Sequence, residues 1–266
     1  MMPLNEKRHI VELRKTILKV SHTTHEGHVP SAYSILDILY VLYHGVLNVD
    51  PRDPQKEDRD YLVVSKGHSA VGLYAVLADA GFFPMEELDT FAMLHSRLGG
   101  HPDFNKVPGV EASTGSLGHG FPIAVGMAMG LQMRGKNQRV FCILGDGEAN
   151  EGSVWEAIIL AGQHKLRNLT CIFDENHSID RSIQWGSMAE KFEVFGWETL
   201  QVDGHDHDAL REALSKPMHD RPRAVIAQTV KGHGCQTMED DPFAWHHRTP
   251  NKEELEQMLK EIDQCV

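Results

Sequence analysis

Apolar residues recur at two different periods along this chain. Over residues 4–22, Ile10, Leu13, Ile17 and Leu18 fall at helical spacing and predict an amphipathic first helix. Ser34 with Asp37 has the form of a capping box and predicts a second helix from Ile35 to Tyr43. The pattern then changes to short, nearly continuous apolar runs: Tyr61–Ser65, Val140–Leu144, Leu169–Phe173, Glu198–Val202 and Ala224–Val230. Runs of this kind separated by helical segments mark the strands of a parallel sheet covered on both faces. Between the second and third runs lies Ser153–Lys165, long enough for a right-handed crossover, so those two strands are predicted neighbours. Residues 84–120 and 231–248 read as irregular; the first is rich in Gly and Pro, and loops this long in compact domains tend to carry function. The tail predicts a last helix with Thr249 as N-cap, Pro250 at its first position, and Leu255, Met258, Leu259 and Ile262 on one face. We find no internal repeat, low-complexity segment or linker. The expected architecture is therefore one α/β domain over residues 1–266, a doubly wound, mostly parallel sheet with helices on both faces.

Composition removes several function classes. The chain has 266 residues, 41% of them apolar, which is enough for a large core. Its net charge of −12 repels phosphate backbones and anionic lipid, which argues against generic nucleic-acid or membrane binding. Phe121–Met133 is too short to span a bilayer, and its Gly126/Gly130 pair fits close helix packing in a soluble core. Cys142, Cys171, Cys235 and Cys265 form no CxxC pair; neither a zinc ribbon nor a disulfide framework is indicated, and a reducing cytoplasm fits. The charged N-terminus has no apolar core segment of the kind a secretory signal needs. Seventeen histidines remain to be accounted for, and His is the side chain that titrates near neutrality.

Two nucleotide motifs fail on inspection. Gly130–Asn137 nearly matches a P-loop but lies between a helix and the following strand, where a P-loop needs strand, loop, helix; it reads as a helix end with a Gly stop. Neither Gly145-Asp146-Gly147 nor Gly118-His119-Gly120 continues into the dinucleotide-binding glycine fingerprint. What does carry chemistry is Gly145-Asp146-Gly147 at the end of one predicted strand and Asn176 at the end of the next, about thirty residues on. Parallel sheets bind ligands outside the carboxyl ends of their strands, so a carboxylate and an amide oxygen come side by side there. Such hard oxygen donors suit Mg2+ (or Ca2+): Asp146, Asn176 and the Ser178 carbonyl supply three ligands, and a diphosphate can supply more. An ordinary turn followed by an Asn cap would give the same residues.

GDGEANEG followed by FDEN resembles the thiamine-diphosphate metal motif, and its surroundings resemble the transketolase family. In order along the chain come Glu26-Gly-His28, Asp60 to His68, Gly100-His101-Pro102, Thr114 to Gly120, Gly152 to Glu156, and Lys231-Gly-His-Gly with Trp245-His246, covering roughly residues 10–250. The resemblance implies thiamine diphosphate and Mg2+ (or Ca2+) as cofactors, with Asp146, Asn176 and Ser178 on the metal. It implies cofactor contacts from Ser31, Lys66, His68, Gly115, Leu117, Gly147, Glu151 and Lys231. His28, His101 and His246 correspond to imidazoles that face the sugar and move the proton of its C3 hydroxyl, work for which near-neutral acids and bases are suited. Glu151 and Glu156 match carboxylates that link two active sites across a self-association interface. His119, His177, His233 and His247 are left without a role; His9, His22, His44, His164, His205, His207 and His219 read as surface or structural.

The chain departs from the family pattern at Glu26, where Ser is common, and at His247, where Gly is usual. A further departure is the lack of a second α/β domain to cradle the aminopyrimidine. The resemblance therefore implies the N-terminal subunit of a split transketolase, moving a two-carbon ketol unit from a ketose (phosphate) to an aldose, with a separate C-terminal subunit carrying the pyrimidine-binding domain. Two other classes share the metal motif: the α subunit of a 2-oxo acid dehydrogenase and a noncatalytic cofactor-binding protein.

Overall fold

The structure is a computed structural model that describes residues 4–217 and 219–265; Met1–Pro3, on which the expectation of no secretory signal partly rests, Met218 and Val266 lie outside the described residues. Five strands, β1 Tyr61–Val64, β2 Val140–Gly145, β3 Leu169–Glu175, β4 Glu198–Asp203 and β5 Arg223–Gln228, form one parallel sheet in the order β1-β2-β3-β5-β4. Each coincides with one of the apolar runs, and β2 and β3 are neighbours as the length of their crossover requires.

Alternation along the strands divides the core into two layers. From β2, Phe141 and Ile143 join one layer with Ile172 of β3 and Val225 of β5, while Cys142 and Leu144 join the other with Cys171, Phe173 and Ile226. The first layer is closed by helices α1 Leu4–Thr24, α2 Val29–Val41, α3 Ala70–Asp79, α7 His207–Ser215 and α9 Lys252–Asp263, together with the one-turn α8 Gln236–Asp240. The second is closed by α4 Gly120–Met133, α5 Gly152–Gln163 and α6 Met188–Val194. Strands covered on both faces carry apolar side chains at every position, which is why they read as continuous runs. Among the described residues no helix is long and apolar enough to cross a membrane. The near P-loop at Gly130 is the end of α4, closed by Gly135 at φ 65°.

Two predicted helix starts are displaced. Helix α2 begins at Val29, with His28 as N-cap and Pro30 in the first turn, where a missing N–H costs nothing. Ser34 and Asp37 are not caps: both are buried mid-helix, the Ser34 hydroxyl donating to Asp174 (2.9 Å) and Asp37 accepting from Arg14 (2.6 Å). At the C-terminus the N-cap is Asn251, not Thr249. Asn251 and Glu254 form a reciprocal capping box (3.0 and 2.9 Å), which satisfies two backbone donors and outcompetes the Thr-Pro start.

The register fixes the height of the functional edge. Gly145 of β2 lies opposite Asp174 of β3, which in turn lies opposite Ala227 of β5. Asp146, Asn176 and the turn carrying Lys231 therefore leave the sheet together, beside Lys66 after β1.

Candidate functional site

Above this carboxyl edge lies a cleft of about 380 Å³. Its floor is the turn after β2. There Gly147 N–H and the Ser178 hydroxyl both donate to Asp146 Oδ1 at 2.6 Å, while Asp146 Oδ2 is buried with no partner. Asn176 donates its Nδ2 to Asp174 (2.8 Å) and accepts the Ser178 N–H on Oδ1 (3.1 Å), so its remaining acceptor capacity lies on the carbonyl side. A Cβ built on Gly147 would meet only the Ser178 hydroxyl, at 3.8 Å, so glycine leaves backbone accessible to a ligand here. An orphaned carboxylate oxygen, an amide oxygen and an open backbone edge fit a hard divalent cation and its anionic ligand.

Two lysines approach from either side. Lys66 is buried, and its ammonium is engaged by Asp174 and the Ser34 hydroxyl (3.2 Å). Lys231 is also buried and has no hydrogen bond or ion pair among the described residues. Burial, followed by repulsion from Lys66, lowers its pKa to about 8.

Imidazoles line the upper wall. The His28 ring lies 5.1 Å from that of His68 and 5.0 Å from that of His246; His101 lines the same cleft. Burial, with the neighbouring imidazoles, lowers His28 to about 4, and burial with Lys231 lowers His246 to about 4. Burial and Lys66 push His68 down to about 2. These three imidazoles are neutral near pH 7 and can each either accept or donate a proton.

The structure brings Ser31, Lys66, His68, Leu117, Gly147, Lys231, Asp146, Asn176 and Ser178 into this one cleft with His28, His101 and His246. Gly115 stands just behind it: at φ 158°, a conformation L side chains rarely adopt, it packs on the His101 ring, where a Cβ would approach to 3.0 Å. Glu151 is the exception. It stands at the N-cap position of α5 without a side-chain capping hydrogen bond, packs against Gly118 and is exposed outside the cleft; Glu156 is exposed on the same helix.

Several groups here escape the sequence reading. Glu148 lines the cleft, accepting from Ser65 (2.5 Å) and from Gly118 N–H (2.9 Å), and burial raises its pKa. Asp174 is completely buried. Its parity with Asn176, two residues on, is a strand signal that could have identified it. His247, left without a role, lies 4.4 Å from the His28 ring and donates to Glu26 (2.7 Å), so the two departures from the family pattern touch each other. His119 and His177 are exposed, and His233 stacks on His205 at 3.6 Å. Asp37, His205 and His233 have the spacing of metal ligands, but the donors are spent. Asp37 holds Arg14 and His205, and His205 Nε2 accepts the Val230 N–H (2.9 Å). A larger hollow of about 680 Å³ at the amino edge is lined by charged groups that pair with one another, such as Lys136 with Glu57 and Arg139 with the buried Asp60.

A family model described as transketolase, thiamine diphosphate binding domain, matches residues 5–262. The chain is 39% identical to one of the subunits of apulose-4-phosphate transketolase from Actinobacillus succinogenes, over 97% of this chain and 95% of that one. It is 35% identical to the SqwG subunit of 6-deoxy-6-sulfo-D-fructose transketolase from a Clostridium species, over 94% of each chain. Mouse transketolase is 39% identical over 94% of this chain but only 41% of its own length. The crystal structure of Campylobacter jejuni transketolase superposes with a TM-score of 0.89 at 29% identity, covering 98% of this chain and 43% of that one. The chain thus spans about two-fifths of these longer transketolases and nearly all of the two subunits. These relatives favour the transketolase resemblance over the 2-oxo acid dehydrogenase one. On this match the chain belongs to the family of transketolase thiamine diphosphate binding domains.

Proposed function

We propose that this chain is the diphosphate- and metal-binding subunit of a split transketolase, a single domain completed by a companion that carries the pyrimidine-binding domain. One observation carries the reading. Among the described residues, the ammonium of Lys231, a mostly buried residue, has no hydrogen bond or ion pair, and the buried carboxylate oxygen Asp146 Oδ2 has no hydrogen-bond partner; both residues line the same cleft. Unpaired buried charge is costly, and a Mg2+ diphosphate satisfies both groups at once.

Asp146, Asn176 and the Ser178 carbonyl hold the cation; Lys231, His68 and the Gly147 backbone hold the diphosphate, with Ser31 and Lys66 beneath and Gly115 and Leu117 along the rings. When bound, thiamine diphosphate supplies the electron sink for carbon–carbon cleavage. His28, His101 and His246 bind the sugar's hydroxyl and carbonyl oxygens and take and return the C3-hydroxyl proton, a task that imidazoles suit. Exposed Glu151 and Glu156 serve self-association beside the cofactor. The names of the two subunit-length relatives support both the companion and sugar phosphate or related sugar substrates. Four free cysteines support a reducing cytoplasm.

The test is reconstitution. The chain alone is expected to be nearly inactive, and its companion to restore ketol transfer that requires thiamine diphosphate and Mg2+. Robust transfer by this chain alone would overturn the split-site reading. Asp146→Ala should abolish metal-dependent cofactor binding in equilibrium dialysis, and unchanged binding would remove the metal assignment.

A further inference from the structure

Beneath the cleft floor lies a carboxylate that the proposed chemistry does not use. Asp174, at 0% exposure, accepts hydrogen bonds from four elements: the Ser34 hydroxyl of α2 (2.9 Å), the Lys66 ammonium after β1, the Asn176 amide after β3 (2.8 Å) and the Thr229 hydroxyl after β5. The Lys66 ammonium and the Asn176 Nδ2 can only donate, and the two hydroxyls donate as well, so with donors on every side the ion-paired carboxylate is left only to accept.

That property decides the orientation of a neighbour. The two ends of an Asn side chain have nearly the same shape, so the surrounding hydrogen bonds must choose between them. Asp174 only accepts, which turns Nδ2 of Asn176 toward it. The Ser178 backbone N–H only donates, which turns Oδ1 the other way, at 3.1 Å. The two constraints agree, and they leave the second lone pair of Oδ1 available at the end that meets Ser178, whose hydroxyl holds Asp146. The same carboxylate holds the Lys66 ammonium below the floor, where Lys66 lies against Gly145. Lys231 makes no such ion pair among the described residues, and its charge is left for the cleft.

We propose that Asp174 is a positioning residue for the metal and diphosphate cradle, presenting the Asn176 carbonyl to the cation and holding the Lys66 ammonium away from it. The inference rests on the reading of Asp146 and Asn176 as metal ligands. An Asn in place of Asp174 removes the charge opposite Lys66 and offers the Asn176 amide a donor as well as an acceptor. The Asn176 side chain can then turn its NH2 toward the cation, and Lys66 can move toward it. Outer partners that orient a metal ligand typically contribute about 10- to 100-fold to metal affinity.

The measurement is the Mn2+ concentration at which half of the full-length chain holds thiamine diphosphate, read by equilibrium dialysis, with thermal unfolding followed in parallel. Asp174→Asn is expected to raise that concentration about 10- to 100-fold. Ser34→Ala removes one hydroxyl that both donates to Asp174 and accepts from Lys66 and Asn176, and should raise it about two- to tenfold, the range of a single hydrogen bond. A purely structural role would lower the melting temperature of Asp174→Asn and leave its Mn2+ requirement at the wild-type value, which would overturn the inference. Should Asp174→Asn not fold, Ser34→Ala decides, and an unchanged Mn2+ requirement in it overturns the inference equally. Asp146→Ala separates the two readings. If it binds cofactor like wild type, the metal assignment itself falls; if it binds none while Asp174→Asn behaves as wild type, only the positioning role falls.

Discussion

His101 shows how one side chain can be assigned by what it does not touch. It lines the cleft with its ring against Gly115 and makes no hydrogen bond to the Asp146 turn, so its removal should spare the diphosphate end. His101→Ala is expected to lower kcat by about 100- to 10,000-fold, the usual worth of a positioned acid or base, with thiamine diphosphate affinity close to wild type. Steady-state kinetics alongside cofactor titration reads both, and equal losses in the two would move His101 to the cofactor. Which single residues were legible follows from where their partners sit. Asp146, Lys66 and His28 stand inside short motifs whose chemistry is local. Strand parity with Asn176 points to Asp174, but its role shows only through Lys66, 108 residues away, and Ser34, 140 residues away, partners that the fold alone brings together. Ser34 and Asp37 mislead for the same reason: polar residues in a buried helix resemble a cap when their tertiary partners are unknown.

At the scale of elements, Glu148 ties three segments into one edge. Ser65 after β1, Gly118 in the turn before α4 and Gly145 at the end of β2 all donate to its carboxylate, at 2.5, 2.9 and 3.4 Å, and Ser65 in turn accepts the Phe121 N–H at 2.8 Å. Leu117, which lines the cleft, precedes Gly118 directly. Glu148→Ala leaves these buried donors without an acceptor, at a cost of about 1–3 kcal/mol. Hydrogen exchange should quicken at Gly118 and Phe121 while β2 and β3 stay protected; uniform protection across 114–121 would show that the loop is held by other contacts. Strands β1, β2, β3 and β5 are legible because burial on both faces writes nearly continuous apolar runs, whereas the edge strand β4 is only partly buried. Of helix α2 only the start is not legible, because Val29 to Leu39 is buried all round and shows no amphipathic period to mark it.

At the scale of the whole molecule, helices from the two ends of the chain are joined by charge. His207 at the start of α7 places one ring nitrogen 2.9 Å from Asp37 of α2 and the other 2.8 Å from Glu6 of α1. Burial disfavours a charged imidazole, but the two carboxylates outweigh it and raise the His207 pKa above its usual 6.5. A raised folded-state pKa stabilises fully below the unfolded value and loses that contribution as pH climbs through the folded one. The protein should therefore lose stability between about pH 6.5 and the elevated folded pKa of His207. Asp37 works at the other end of the scale: burial raises its pKa, Arg14 and both histidines lower it further, and its contribution is lost only in acid. His207→Gln keeps a polar side chain but cannot carry the charge, so its unfolding free energy should be lower at pH 6 and converge on wild type at high pH. Urea unfolding at several pH values reads the difference directly, and a gap that stayed constant with pH would mean that His207 contributes by packing alone. The network reaches the cleft through His205, which donates to Asp37 and accepts the Val230 N–H next to Lys231. Alkaline loosening of the α1–α2–α7 junction should consequently weaken cofactor binding in wild type before the sheet unfolds, and His207→Gln should show that weaker binding already at pH 6.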